Sequence, residues 1–233
     1  MLQKSIVIPC FNEKNTILKI LEKVKGNINE NDEIIIVDDG SNDGTLDLLK
    51  EMKDIKTKII FHKQNMGKGA ALNTAFKEDL KEIVIIQDAD LEYDPSDYKK
   101  LLLPFEETNA DIVYGSRFVG GSKYVRIHFF WHFIANKLLT FFCNAFANLN
   151  LTDMETGYKA FKKDCLKDLN LQEKGFGIEP EITIKFAKRK LKFFEVPISY
   201  NGRSYQEGKK IGLKDAFVAV YCILKYSLIT KKS

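Results

Sequence analysis

The sequence lacks the features that mark several common classes of protein. Its four cysteines show no C-x-x-C spacing, so we expect reduced, packed thiols in a cytosolic protein. No uncharged apolar run reaches the roughly 18 residues that a membrane-spanning helix needs, and Lys4 with the strand pattern around it argues against a signal peptide. The net charge of +4 is small, so no nucleic-acid partner is expected.

Glycine-rich loops that bind nucleotides are also missing. The turn after the first apolar run is Pro9-Cys10-Phe11-Asn12-Glu13, which contains no glycine and so does not fit the G-x-G-x-x-G loop of an NAD-binding Rossmann domain. The segment Gly67-Lys68-Gly69 does not have the spacing of a Walker A loop. Phosphate groups of a bound nucleotide would therefore have to be held by a metal ion and by side chains.

What the chain does contain is a regular alternation of strand and helix patterns. Its 233 residues, 45% hydrophobic and 29% charged, suffice for one large domain. In the first half, apolar runs typical of buried strands alternate with segments of helical spacing. The predicted strands are residues 5–9, 33–37, 58–61, 83–86 and 111–114. This order predicts an α/β fold with a mostly parallel central sheet flanked by helices.

The segment IVIIQDADLEYD, residues 83–94, carries the strongest chemical signal. Asp88 and Asp90 follow four apolar β-formers, and residues two apart in an extended chain point to the same side. Two carboxylates so close repel each other, and a divalent cation removes that penalty. Oxygen ligands suit Mg²⁺ or Mn²⁺, which usually share their shell with substrate phosphates. Taken alone, such a pair is more often two solvated aspartates at a strand end than a metal site.

Further polar residues follow the other predicted strands. Ligands of open α/β sheets bind beyond the carboxyl ends of the strands. The polar residues found at such ends are Glu13, Asp38, Asp39, Asp88, Asp90 and Arg117. Their shared position predicts one binding site along this edge of the sheet.

Eight motifs, in this order and spacing, resemble family-two glycosyltransferases of the GT-A fold. They are VIPCFNE, IIIVDDGSNDGT, NMGKGAALNTAF, IIQDADLEYDP, VYGSRF, TDMETGYKAF, FGIEPEI and EVPISYNGRSYQEGKKIG. The likeness covers about residues 4–228 and is similar in particular to dolichyl-phosphate mannose or glucose synthases and bacterial polyprenyl-phosphate glycosyltransferases. It implies a single GT-A domain, with a nucleotide-binding half at residues 1–118 and an acceptor-binding half at residues 119–233. The implied reaction is metal-dependent, inverting transfer of one sugar from a UDP- or GDP-linked donor to a polyprenyl or dolichyl phosphate.

The resemblance also implies roles for individual residues. Around the base and ribose of the nucleotide it places Pro9, Phe11, Glu13, Val37 and Asp39. Asp88 and Asp90 would hold Mg²⁺ or Mn²⁺ on the diphosphate, with Ala89 between them in the donor site. Glu92 stands at a third metal position that is glutamine in the mannose synthases, so its role stays open. A basic segment containing Arg203, Lys209 and Lys210 would close over the diphosphate.

Three residues of the motifs have more than one interpretation. Arg117 resembles an arginine that contacts the acceptor or donor phosphate, and Asp153 is either a general base or an orienting group. A lipid phosphate is already charged and needs no base, whereas a sugar hydroxyl does. Glu179 resembles a family position, but helix capping explains it equally well.

Two segments of the second half predict amphipathic helices. Residues 127–151 contain seven aromatic side chains together with polar ones, and residues 213–229 are apolar on one face. The first segment fits an interfacial helix or a core helix equally well. We expect a cytoplasmic protein that is peripherally associated with the inner face of the membrane. Two alternatives stay open: transfer to a saccharide hydroxyl in glycan assembly, and a nucleotide-sugar-binding protein without turnover.

Overall fold

The computed structural model describes residues 2–121, 126, 130–203 and 212–229. Its strands are β1 Lys4–Cys10, β2 Glu33–Asp38, β3 Thr57–Phe61, β4 Ile83–Ile86, β5 Ile112–Ser116, β6 Lys159–Lys162 and β7 Phe193–Pro197. Its helices are α1 Ile17–Lys25, α2 Thr45–Glu51, α3 Lys68–Ala75, α4 Tyr98–Glu107, α5 Phe130–Ala147, α6 Ile178–Lys188 and α7 Leu213–Ile229. Short 3-10 helices cover Pro95–Asp97 and Lys163–Leu166.

All seven strands belong to one sheet in the order β3-β2-β1-β4-β6-β5-β7. Strands β1 to β4 are mutually parallel, β5 and β7 are parallel to each other, and β6 runs antiparallel to both β4 and β5. The predicted mostly parallel α/β sheet is therefore confirmed. The division into halves at residue 118 stays a prediction; the sheet takes strands from both sides of it.

The central strands are buried on both faces, which explains why their sequences are apolar without alternation. Ile6 and Ile8 of β1 pack with α1 and α4 in one core, whereas Val7 packs with α3 and α6 in the other. Ile34 and Ile35 of β2 divide in the same way. Helices thus cover both faces of the sheet, and the carboxyl ends of its parallel strands remain uncovered.

The antiparallel strand β6 decides what reaches that edge. Parallel strands β1, β2, β4 and β5 end there, and because β6 runs the opposite way it begins there. The segment before it, residues 152–158, is therefore brought to the edge where the parallel strands end. This places Asp153 close to Arg117, with a charged contact between them.

Helices α5 and α7 pack against each other and leave large apolar side chains in solvent. Trp131 and Phe141 of α5 are 76% and 69% exposed, and Phe217 of α7 is 77% exposed. Cys143 on the other side of α5 is fully buried. The helix is thus half in the core and half outside it. Among the described residues, no helix has the length and apolar character needed to cross a membrane.

A buried ion pair holds the start of β1. The carboxylate of Asp32 accepts hydrogen bonds from the backbone N–H of Lys4 at 2.9 Å, from its ammonium at 2.5 Å, and from the Asn29 N–H at 2.6 Å. We expect Asp32→Ala to lower the free energy of unfolding by about 3–5 kcal/mol, because it leaves the Lys4 ammonium buried without its counter-charge. Urea denaturation measures the change.

The matched control is Glu78→Ala, which removes the carboxylate of the partly exposed Lys58–Glu78 pair. Exposed pairs contribute little, so this variant should lose less than about 1 kcal/mol. If the two variants lost equal amounts of unfolding free energy, the buried Lys4–Asp32 pair would not stabilise the protein more than an exposed pair does.

Candidate active site

A cavity of about 470 Å³ opens along the edge where the parallel strands end. The predicted site residues that line it are Pro9, Phe11, Glu13, Asp39, Asp88, Ala89, Asp90, Glu92, Arg117 and Arg203. Val37 instead lies in the hydrophobic core, and Asp153 is fully buried behind Arg117. Lys209 and Lys210 lie outside the described residues. The strand ends thus bring most of the predicted set into one cavity.

Asp88 is held by a lysine that sequence reasoning did not single out as a site residue. Its Oδ1 lies 2.8 Å from the ammonium of Lys68, which also lies 3.0 Å from Oε1 of Glu179. Burial alone would lower the pKa of Lys68, but the charges of Asp88 and Glu179 raise it well above its usual value. Lys68 therefore remains a cation that joins α3 to the end of β4 and to α6.

Glu179 connects this pair to a second buried lysine. Its Oε2 accepts a hydrogen bond from the ammonium of Lys159, which also donates to the backbone carbonyls of Met154 and Thr156. Burial would raise the pKa of Glu179, but Lys159 and Lys68 lower it. Glu179 lies in the first turn of α6, where a negative charge suits the helix N-terminus. Its side chain also binds two lysines, so the residue joins the helix to both of them.

A glycine lets Asp88 lie close to the segment before β6. A Cβ at Gly157 would lie 2.2 Å from Oδ2 of Asp88 and 2.9 Å from the ring of Tyr93. The Gly157 N–H donates to the Tyr93 hydroxyl at 2.8 Å. A side chain at this position would therefore displace the carboxylate.

Arg203 contacts three acidic residues at once. Its guanidinium lies 2.8 Å from Oδ2 of Asp90 and 3.3 Å from the carboxylates of Glu13 and Glu92. Burial and the charges of Asp88 and Glu92 raise the pKa of Asp90 to about 7, although Arg203 acts in the opposite direction. The end of β4 is thus a place where further positive charge is stabilised.

Both oxygens of Glu92 are engaged by the segment at residues 200–203. Oε1 accepts the Arg203 N–H at 2.8 Å, and Oε2 accepts the Tyr200 hydroxyl at 2.7 Å. The Asn201 N–H also donates to the Glu92 carbonyl at 2.9 Å. In this arrangement Glu92 anchors the segment that carries Arg203.

The donor set at the end of β4 fits a hard divalent cation. Asp88 and Asp90 offer carboxylate oxygens, the ligand type that Mg²⁺ and Mn²⁺ prefer, and burial together with the charges of Asp88 and Glu92 raises the pKa of Asp90. The described part of the chain has no group of three or more His, Cys, Asp or Glu side chains placed to hold an ion. Two carboxylates would thus be the protein's share, and phosphate oxygens would supply further ligands.

Arg117 and Asp153 form a two-point ion pair. Nε and Nη2 of Arg117 each lie 2.6 Å from a different oxygen of Asp153, and the Arg117 N–H donates to Oδ2 at 3.1 Å. Asn136 adds a bond to Oδ1 at 3.3 Å. Burial would raise the pKa of Asp153, but Arg117 lowers it. A carboxylate with both oxygens bonded and a lowered pKa is a poor proton acceptor, so this geometry favours the orienting role.

The two aspartates after β2 have different surroundings. Asp39 accepts hydrogen bonds from the N–H groups of Met66 at 3.0 Å and Gly67 at 2.6 Å, and lies 2.7 Å from Nδ1 of His62. It lines the cavity and also fixes the loop before α3. Asp38 is fully buried and accepts the Ser41 N–H at 3.2 Å, a contact within its own turn.

The far end of the cavity is largely apolar, with His132 and Asn136 as its polar members on α5. Beyond Arg117, whose guanidinium lies 5.0 Å from the ring centre of Tyr200, the lining comes from Phe118 and from α5. The α5 residues are Trp131, His132, Phe133, Ala135, Asn136 and Leu139. One cavity therefore joins a charged end to an apolar end, with Arg117 between them.

Comparisons with known proteins agree with this architecture. The profile described as Glycosyl transferase family 2 matches residues 5–169. The undecaprenyl-phosphate mannosyltransferase of Micrococcus luteus is 29% identical over 218 residues, covering 88% of this chain and 86% of that protein. The UDP-N-acetylglucosamine–dolichyl-phosphate N-acetylglucosaminyltransferase of Methanococcus voltae is 29% identical over 238 residues, covering 94% of each.

A solved structure shares the fold. Glucosyl-3-phosphoglycerate synthase from Mycobacterium tuberculosis, in complex with Mn²⁺, UDP and phosphoglyceric acid, superposes with a TM-score of 0.73. The two proteins are 19% identical, and the match covers 99% of this chain and 80% of the other. At this identity the likeness concerns the fold alone, and the predicted GT-A fold is confirmed.

Gly157→Ala tests the position of Asp88. The added Cβ would displace the carboxylate, and because the obstructing atoms belong to side chains we expect the variant to fold. Its affinity for Mn²⁺ in the presence of UDP or GDP should fall by roughly 10- to 100-fold, the loss that is typical when the groups that position a metal ligand are changed. Isothermal titration calorimetry measures this affinity.

Gly120→Ala serves as the control, since nothing lies within 4 Å of a Cβ at Gly120. It should bind like the wild type. Undiminished affinity in the folded Gly157→Ala variant would mean that Asp88 does not hold the ion.

Proposed function

Because the chain belongs to glycosyl transferase family 2 and is a glycosyltransferase, we propose that it transfers one sugar from a nucleoside diphosphate sugar to a polyprenyl or dolichyl phosphate. The observation that carries this proposal is the single cavity in which Asp88 and Asp90 lie at one end, Arg117 follows, and an apolar end is formed by α5. This order matches the two substrates: the charged donor would lie at the aspartates, the charged head of the acceptor at Arg117, and its apolar tail at the α5 end. The names of the bacterial and archaeal relatives support the same acceptor class.

The donor would lie across the ends of β1, β2 and β4. Its nucleoside would contact Phe11, Glu13 and Asp39, and its diphosphate would lie at Asp88 and Asp90. A divalent cation bound there by the two aspartates would neutralise the charge that develops on the departing nucleoside diphosphate. Lys68 holds Asp88 in place, at 2.8 Å.

Arg203 would supply a second cation for the diphosphate. Its planar guanidinium suits two phosphate oxygens at once. In the described structure the guanidinium forms ion pairs with Asp90, Glu13 and Glu92, so it is already at the donor end of the cavity. Binding of a diphosphate would exchange these carboxylate partners for phosphate oxygens.

The acceptor phosphate would lie beside Arg117. A phosphate monoester carries a charge of about −1.5 to −2 at neutral pH, so no proton has to be removed before it attacks. One of its oxygens forms the bond to the anomeric carbon while the bond from that carbon to the diphosphate breaks, and the configuration inverts. Asp153 takes no proton in this scheme; its two bonds hold the guanidinium of Arg117 in position.

The lipid tail requires a route to the membrane, and α5 and α7 would supply it. We call their large exposed side chains the aromatic face: Phe130, Trp131, Phe141, Phe142, Phe217 and Tyr221. Exposed apolar patches of this kind mark interaction sites, and helices with one aromatic side bind in the headgroup region of a bilayer. Trp131 also lines the apolar end of the cavity, so the aromatic face and the cavity are continuous there.

The reaction is tested with polyprenyl phosphate and radiolabelled UDP- and GDP-linked sugars in the presence of Mg²⁺ or Mn²⁺. We expect label in a lipid-extractable product that mild acid releases as free sugar, because a glycosyl phosphate is acid-labile. Label that enters only water-soluble glycan would support the saccharide acceptor instead. Donor binding without any product would support a binding protein.

Asp153→Asn distinguishes the two acceptors further. With a phosphate acceptor, turnover should largely persist and the acceptor KM should rise, because Arg117 loses part of its support. Abolished turnover with intact donor binding would mean that Asp153 removes a proton from a hydroxyl.

Membrane binding is tested by flotation with anionic phospholipid vesicles. We expect the wild type to float and the triple variant Trp131→Ser, Phe141→Ser, Phe217→Ser to lose at least roughly 100-fold in partitioning. The reason is that a large apolar side chain contributes about 1.5–3 kcal/mol when it leaves water. The measurement is the bound fraction against lipid concentration.

Ile55→Ser is the matched control, since Ile55 is fully exposed and lies outside the aromatic face. It should float like the wild type. A wild-type protein that stays at the bottom of the gradient would refute the membrane proposal.

A further inference from the structure

Glu155 is a carboxylate of the cavity that the scheme above does not use. It lies in the segment before β6 and lines the cavity together with Asp88, Arg117 and Glu179. Its Oε1 is buried and has no hydrogen-bond partner among the described residues. Buried polar atoms nearly always have a partner, so one without any points to a missing ligand or water.

The acidic side chains around Glu155 do have partners. Asp153 is bonded twice by Arg117, and Glu179 is bonded by Lys68 and Lys159. Glu195 accepts the N–H groups of Thr152 and Asp153 at 2.8 to 3.2 Å. Since these carboxylates stabilise the protein itself, Glu155 is the member of this group that has an unpaired oxygen and a partly exposed side chain lining the cavity.

The neighbours of Glu155 in the segment before β6 show where it lies. Two residues before it, Asp153 pairs with Arg117 at the acceptor end. Two residues after it, a Cβ at Gly157 would lie 2.2 Å from Oδ2 of Asp88 at the donor end. Glu155 is therefore between the two ends of the cavity, where burial and the neighbouring charge of Glu179 raise its pKa to about 7. In a direct transfer, the sugar lies between the departing diphosphate and the attacking oxygen.

We propose that the carboxylate of Glu155 hydrogen-bonds a hydroxyl group of the transferred sugar and helps to determine which sugar is accepted. The inference rests on the proposed function and adds a specificity residue to it. A hydroxyl donates to a carboxylate and accepts from a carboxylic acid, so either form of Glu155 makes the bond. A buried group that hydrogen-bonds a substrate hydroxyl discriminates strongly against sugars that lack it or direct it elsewhere, because its own oxygen is then left unpaired.

The test compares nucleotides with nucleotide sugars, so that the contribution of the sugar is isolated. Isothermal titration calorimetry with Mn²⁺ gives the affinities of UDP, GDP, UDP-glucose, UDP-galactose, UDP-N-acetylglucosamine and GDP-mannose for the wild type, Glu155→Gln and Glu155→Leu. For Glu155→Leu we expect unchanged affinity for the free nucleotides and a roughly 10- to 100-fold loss for the preferred nucleotide sugar. The differences among its affinities for the four nucleotide sugars should also become smaller.

Glu155→Gln keeps the shape and one acceptor oxygen, so it should fall between the wild type and Glu155→Leu, and it carries the test if the leucine variant does not fold. Glu78→Gln is the control for loss of one negative charge, because Glu78 pairs with Lys58 outside the cavity. Folded Glu155 variants with wild-type ratios of nucleotide-sugar to nucleotide affinity, and an unchanged order of sugars, would overturn the inference. A wild type that binds none of the six ligands would instead overturn the proposed function.

Discussion

The site depends on the compensation of negative charge at the end of β4. Asp88 and Asp90 are held near each other and near Glu92, and burial makes their repulsion stronger. Each of the two aspartates has a cation from another part of the chain: Lys68 from α3 contacts Asp88, and Arg203 from the segment after β7 contacts Asp90. Because these cations come from elements far apart in sequence, the arrangement exists only once the sheet and its helices have assembled.

The two cations differ in a way that suits different tasks. Lys68 is bound between Asp88 and Glu179, with 13% of its side chain exposed, and Glu179 is tied to the fully buried Lys159. It is part of the interior. Arg203 is held by side chains at the surface of the cavity and belongs to a segment that continues beyond the described residues. Removing Lys68 from its place would disturb α6, whereas Arg203 can exchange carboxylate partners for phosphate oxygens without disturbing the core.

Local sequence patterns predicted the first five strands and the edge at which the parallel strands end. Strands β1, β2, β4 and β5 are apolar runs buried on both faces, and β3 is a partly exposed run at the border of the sheet. Strands β6 and β7 were not predicted, since KAFK and FFEVP carry charged residues and are short. The same limit applies to the site. Asp88, Asp90 and Arg117 follow strands and were found, but the contact between Lys68 and Glu179 joins residues 111 positions apart, which no local pattern encodes. The position of residues 152–158 also depends on the reversed direction of β6.

On the proposed function, the pairing of Arg117 with Asp153 would limit which acceptor the site can serve. Arg117, bonded through Nε and Nη2, keeps its positive charge. Asp153 is hydrogen-bonded at both oxygens and has a lowered pKa, so it is a poor base. A hydroxyl acceptor would need a base from elsewhere in the cavity, whereas a phosphate brings its own negative charge and is attracted by the positive end of the pair. On the proposed function, the ion pair thus selects for an acceptor that is already ionised. On the same proposal, the largely apolar lining beyond Arg117 would select for an acceptor whose remainder is lipid.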